Sequence, residues 1–283
     1  MVRLKDIAAE ANVSVMTVSN VVNGNLSKVS KEKADEIQAI LRKRNYVQNA
    51  SARSLAKANS NIVAIMLRNI DNENSLSSPH NATLVGIIIQ QVQALGYYAM
   101  VSLVQNKEDI SRNLRTWNVR GAIFLGMFDD EIEQISTRTK TPAVFIDSYS
   151  HVRQICSVGI DDYKGGVMAA NCLLQHGHKQ IAFVSPPDID NGVIHHRLSG
   201  FTDTLLKNGI SADKLHRFVL LSDNDPAAAS DTIDALYSLR HEITAVFATS
   251  DHLAARLIGD LSERGIRIPD ELSVIGYDNM SIC

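Results

Sequence analysis

Five side chains have both the chemistry and the placement to hold a hydroxyl-rich molecule. Asp147 ends the apolar run "PAVFID", Ser250 and Asp251 close "AVFATSD", and Asp278 closes "SVIGYD". Arg197 stands early in the helical stretch "HHRLSGF". Carboxylates accept hydrogen bonds and a guanidinium donates them, so the set supplies binding polarity in both directions. It contains no evident nucleophile with its base, so the expectation is a binding site and not an enzyme. Each residue alone has a plainer reading, because an Asp at a strand end often caps the following helix. The histidine pairs, His176 with His178 and His195 with His196, lack a third ligand at metal spacing, so no metal is expected. "HGHKQIAFV" reads instead as a helix–Gly–strand corner.

A second constellation lies near the start, in "NVSVMTVSNVVNG". Ser14 is placed to cap a helix beginning at Val15. Val18, Val21 and Val22 share one face of that helix, while Met16, Thr17, Ser19 and Asn20 occupy the other. Asn23-Gly24 ends it, since either residue can take a positive φ. Before it, Leu4, Ile7, Ala8 and Ala11 repeat at helical spacing; after it, Ser30 is a cap and Ala34, Ile37, Ile40 and Leu41 form a third stripe. Two short helices joined by a tight turn, with a third as support, make the helix-turn-helix pattern, whose second helix can lie in a DNA major groove. A three-helix cluster with a polar face would look the same, and charge favours the DNA reading. Residues 1–58 hold 10 Lys/Arg against 5 Asp/Glu, leaving 18 against 26 in the remainder, so a net +5 head precedes a net −8 body.

The elements needed to position the first five residues follow from texture. Eight apolar, β-branched runs ("IVAIML", "YYAMVSLV", "GAIFLGM", "PAVFID", "QIAFVS", "RFVLL", "TAVFATS", "LSVIGYD") alternate with helical segments at 80–95, 108–118, 131–137, 163–176, 194–208, 226–239 and 252–264. Such alternation predicts parallel sheet covered on both faces, and a break near Val158–Asp162 suits two sheets better than one. A ligand on such sheets sits at the carboxyl ends of the strands. The sequence has no strand–G-x-G-x-x-G–helix, no G-x-x-x-x-G-K-[ST] and no G-x-S-x-G, so no nucleotide cofactor is implied. The 3 cysteines, Cys156, Cys172 and Cys283, form no C-x-x-C and suggest no disulfide framework. There is no secretory h-region and no apolar run of about 18 residues, so a cytoplasmic chain without a membrane span is expected.

The stretch "LKDIAAEANVSVMTVSNVVNG", followed by "VSKEKADEIQAILRKRNYVQNASARSLAKANSN", resembles the head of the lac-repressor/galactose-repressor (LacI/GalR) family of bacterial transcription regulators. The resemblance implies base reading by Val15, Met16 and Asn20, and phosphate or sugar contact by Thr17, Ser19, Asn23, Ser30 and Tyr46. The DNA-facing set also takes in Leu4, Ser14 and Asn49. Asn20 can pair bidentately with an adenine edge, whereas Val15 and Met16 offer only apolar contact suited to thymine methyls. Arg3 replaces the Thr common at the first cap, a change expected to cost about 1 kcal/mol. The Ala/Ser-rich segment 49–59 is implied to be a hinge that orders on DNA. In it Leu55, flanked by Arg53 and Ala56, wedges between base steps; packing of Leu55 on the next domain is the plainer alternative.

For the body the same resemblance implies two Rossmann-like subdomains of periplasmic-binding-protein type I. Arg197 matches the effector arginine and Asp278 the carboxylate opposite it. The expected organisation is a helix-turn-helix domain at 1–48, a hinge at 49–59, a first effector-binding subdomain at 60–160 and a second, incomplete one at 161–283. The first cleft loop, "RNIDNENSLSSPHNA", is longer and more polar than the family's Asn-Pro turn, and the chain stops soon after "GYD". That early stop is expected to leave sheet edges uncovered and the body less stable. Together these readings describe a homodimeric repressor of double-stranded operator DNA, controlled by a sugar-like effector. The rivals are a non-inducible DNA-binding remnant, a sugar receptor and a sugar-processing enzyme.

Overall fold

A computed structural model describes residues 2–47, 60–69, 75–127, 129–150, 155–186, 192–222 and 226–280. The chain divides into two compact units, Met1–Ser60 and Asn61–Cys283.

Among the described residues the head has three α-helices around one small core. Helices α1 (Leu4–Glu10), α2 (Val15–Val22) and α3 (Lys31–Lys43) bury Ile7, Ala8, Val18, Val21, Ala34 and Ile37 against one another. These are the positions at which the 3.6-residue period repeats. Asn12 at φ 51° makes the tight turn out of α1, and Gly24 at φ 77° follows α2. Lys33 reaches from α3 to the carbonyl of Ala11 at 3.0 Å and so covers an orphan acceptor at the end of α1. Glu10 closes the other side through Arg44 at 2.7 Å, and that guanidinium holds its carboxyl below the usual value. Arg3 does begin α1 without a side-chain cap. Asp6 offsets the loss by accepting the Arg3 N–H at 2.9 Å.

The body contains two parallel sheets. The first has the order β2-β1-β3-β4-β5, built from β1 (Ile62–Arg68), β2 (Tyr98–Val104), β3 (Gly121–Leu125), β4 (Ala143–Ile146) and β5 (Cys156–Val158). Its crossovers are α4 (Pro79–Ala94), α5 (Lys107–Thr116) and α6 (Asp129–Arg138). The second has the order β7-β6-β8-β9, from β6 (Ile181–Ser185), β7 (Val219–Leu221), β8 (Ala245–Ala248) and β9 (Ser273–Ile275). Around it lie α7 (Asp162–Gln175), α8 (Gly192–Lys207), α9 (Ala212–Arg217), α10 (Pro226–Leu239) and α11 (Asp251–Glu263). Central strands β1, β6 and β8 are buried on both faces, which is why they read as unbroken apolar runs.

Two elements go beyond the sequence expectation. Strand β5 is a ninth strand, three residues long and exposed throughout, and it lies where a break between sheets is expected. Helix α9 fills the connection before β7. The corner "HGH" is as read: His176 caps α7, Gly177 takes φ 87°, and His178 binds the Thr244 hydroxyl at 2.9 Å. Among the described residues no group of three His, Cys, Asp or Glu side chains is placed to hold a metal, and no helix is long and apolar enough to cross a membrane.

Candidate nucleic-acid interface and ligand cleft

On α2 the polar residues separate by what their side chains already hold. Ser14 Oγ accepts the Thr17 N–H at 3.1 Å and meets the Thr17 hydroxyl at 2.8 Å. Asn23 donates to the carbonyl of Ser19 at 2.8 Å and to its hydroxyl at 3.2 Å. Ser30 Oγ caps α3 through the Lys33 N–H at 3.4 Å. Leu4 and Tyr46 are half-buried against the head core, and burial pushes the Tyr46 phenol up. Val15 (47% exposed) and Met16 (69% exposed) project into solvent, and the half-buried Asn20 side chain has no hydrogen-bond partner among the described residues. The helix therefore offers one bidentate amide flanked by two apolar side chains. Asn49, Arg53, Leu55 and Ala56 lie outside the described residues.

In the body a cleft of about 470 Å³ opens where strand ends of both sheets meet. The first sheet contributes Asp147 and the second contributes Arg197, Thr249, Ser250 and Asp278. His80, in the first turn of α4, joins them: its Nε2 lies 3.2 Å from Asp147 Oδ2, and that hydrogen bond raises the imidazole pKa. Asp147 is held at φ 50°, in the left-handed region that directs the chain sharply out of β4. Asp278 takes φ 103°, and burial is the main reason its carboxyl pKa is raised.

Arg197 is only 7% exposed, yet it is the most heavily tied side chain of the cleft. Its Nε donates to Asp162 Oδ1 at 2.8 Å and its Nη1 to the carbonyl of Thr249 at 2.7 Å. Its Nη2 lies 3.8 Å from Asp278 Oδ1, and the guanidinium carbon sits 3.8 Å above the Tyr277 ring. Glycines make this approach possible. A Cβ on Gly166 would stand 2.0 Å from the Arg197 carbonyl, and one on Gly200 would stand 1.9 Å from that of Tyr163, so α7 and α8 pack backbone to backbone.

The other two strand-end residues are engaged differently. Ser250 lines the cleft while its Oγ caps α11 by accepting the Leu253 N–H at 3.2 Å. Asp251 does not line the cleft. It is 5% exposed and its carboxylate accepts the Met280 N–H at 2.6 Å, fixing the turn that carries Asp278. Nothing local in the sequence marks His80, Thr249, Tyr149 or Tyr277 for the cleft; Asp162 alone carries a signal, as a carboxylate at the start of a helix.

Comparison with known proteins fits both halves of this description. Residues 3–49 match the family of bacterial regulatory proteins, lacI family, and residues 170–283 match the periplasmic binding protein-like domain. The HTH-type transcriptional regulator MalR of Clostridium butyricum is 27% identical over 98% of this chain and 83% of its own length. The HTH-type transcriptional repressor CytR of Escherichia coli (strain K12) is 25% identical over 99% of this chain and 80% of its own. Among solved structures, the lac repressor dimer bound to operator and the anti-inducer ONPF superposes with a TM-score of 0.83 at 26% identity, covering 99% of this chain and 83% of that one. The CelR–cellobiose complex, at 24% identity and a TM-score of 0.69, shares the fold.

Proposed function

From the premise that this chain belongs to the LacI family of bacterial regulatory proteins, we propose that it is a transcriptional repressor that binds operator DNA through its head and releases or tightens it in response to a sugar-like effector. The observation that carries the effector half is the convergence in one cleft of Arg197 and Asp278 from the second sheet with Asp147 and His80 from the first. A ligand bound there touches both subdomains and selects one angle between them. A polyol suits the site because it donates to the two carboxylates and accepts from the guanidinium.

Asn20 reads an adenine edge and Met16 and Val15 rest on thymine methyls, while Thr17, Ser19, Asn23, Ser30 and Tyr46 stand on the backbone side of the groove. Leu4 and Ser14 act through the shape of the head. Segment 49–59 is the hinge, with Leu55 as the wedge between base steps and Arg53 and Ala56 beside it. Edge strand β2, with Val101 38% exposed and Leu103 37% exposed on the side that carries α4, and Ile87 of α4 (52% exposed) offer an apolar face on which two copies pair. Two heads then meet a pseudo-palindromic site. The protein works in the cytoplasm and carries out no catalysis.

The test is selection of duplexes from a random pool by the full chain, followed by anisotropy titration of the best duplex and a scrambled one. The expected result is a preference of at least a hundredfold that Asn20→Ala erodes by about 1–3 kcal/mol. Equal affinity for both duplexes would overturn the reading.

A further inference from the structure

The carboxylate of Asp162 is shared between the two subdomains. It is 1% exposed and sits at the start of α7, on the second sheet. Arg197 holds its Oδ1, and Tyr149 holds its Oδ2 at 2.8 Å. Tyr149 comes from the other side, on the chain leaving β4 of the first sheet. The same phenol oxygen accepts the Asp162 N–H at 3.3 Å and lies 3.1 Å from the carbonyl of Ile160. Its ring lies tilted at 33° against His196, neighbour of Arg197 on α8, with centroids 3.8 Å apart. One side chain of the first subdomain is thus clamped to the carboxylate that orients the cleft arginine.

We infer that Tyr149 is a positioning residue that couples the angle between the subdomains to the aim of Arg197 into the cleft. The inference rests on the effector reading above. When the first sheet moves relative to α7, the Tyr149 hydroxyl releases Oδ2. A buried carboxylate oxygen without a donor is costly, so Asp162 turns further onto the guanidinium. Arg197 is then drawn back from Asp278 and from the cleft. In the reverse direction, an effector that pulls on Arg197 favours the subdomain angle at which Tyr149 satisfies Asp162, which gives the two events one shared free energy.

The experiment compares the wild-type chain with Tyr149→Phe, which removes the hydroxyl and keeps a ring on His196, and with His196→Leu, which does the reverse. D-glucose, D-galactose, D-ribose and cellobiose are screened by thermal shift, and the sugar giving the largest shift is titrated by calorimetry. Tyr149→Phe is expected to weaken sugar binding about tenfold, the size of one lost hydrogen bond to a charged group, and to blunt the sugar's effect on operator affinity. His196→Leu is expected to bind as wild type. If the wild type binds a sugar, Arg197→Lys abolishes that binding and Tyr149→Phe binds like wild type, the inference falls and the effector reading stands. Equal losses in both test variants, or a Tyr149→Phe protein without a cooperative melt, would reduce Tyr149 to a packing residue and overturn the inference. Should the wild type bind none of the sugars, the effector reading fails and takes the inference with it.

Discussion

Arg197 and Asp162 form a buried ion pair at 2.8 Å in which the arginine also supports a backbone carbonyl and covers an aromatic ring. Its charge is neutralised from inside the fold, so the edge facing Asp278 is suited to a ligand that accepts hydrogen bonds more than to one held by net charge. Lysine cannot reproduce this, because a single ammonium has neither the fork nor the plane. Arg197→Lys should destabilise the body by about 1–3 kcal/mol. For a body of this size that lowers the Tm by roughly 5 °C, measurable by calorimetry, together with loss of sugar binding.

Asp278 is expected to show the opposite trade. Its carboxyl is raised chiefly by burial, with Arg197 and His80 opposing that shift. A raised folded-state value means stability present at low pH and lost as the group ionises, so the charge is a burden on the ligand-free body at neutral pH. Asn also tolerates the positive φ of this position. Asp278→Asn should therefore raise the ligand-free Tm by a few degrees while weakening sugar binding; a melting curve and a titration check both halves.

His80 is expected to make the cleft pH-sensitive. Its hydrogen bond to Asp147 is the largest cause of its raised pKa; the charges of Asp278 and Asp147 add to it, and burial and Arg197 oppose it. The contribution of the pair is complete below the usual imidazole value of about 6.5 and disappears as pH rises through the higher folded-state value. The ligand-free wild type should lose stability relative to His80→Gln as pH rises above about 6.5 and through the higher folded-state value. Over the same range sugar affinity should rise, because Asp147 is freed. Melting curves across that range decide the first point and calorimetry the second.

In the head, Ser14→Ala removes the cap of α2 and the partner of the Thr17 hydroxyl. A loss of about 1 kcal/mol is expected, seen as earlier unfolding of the head in a denaturant titration followed by helical signal. Operator affinity should fall in step, because α2 must be formed before Asn20 can present its amide.

Much of this architecture is legible from periodicity. Ile7, Val18 and Ile37 repeat at helical spacing, and runs such as "IVAIML" leave no solvent face, so three helices and a two-sheet parallel body follow directly. Strand β5 escaped because "CSV" is short, exposed and flanked by polar residues, and its pairing with β4 is a tertiary matter. Arg197 and Asp278 are legible as cleft residues from topology alone, since strand ends and helix starts converge there. Asp251 illustrates the limit of that rule. It follows β8 as directly as Ser250 does, but it is the first helical residue, and its side chain turns inward to Met280. Asp162 meets Arg197 through the close approach of α7 and α8 at Gly166 and Gly200, whereas Tyr277 comes in from the chain after β9 against Gly165 and Tyr149 from the chain leaving β4. No local pattern encodes these contacts.

If the protein is an effector-controlled repressor, what the cleft binds changes what the head holds. The most direct measurement is the affinity of the full chain for its selected operator duplex, with and without a saturating amount of the sugar that most raises its Tm, at one fixed salt concentration. A change of roughly 5- to 150-fold is expected, with a matching change in sugar affinity when DNA is present. An operator affinity that stays the same while the sugar is demonstrably bound would contradict it.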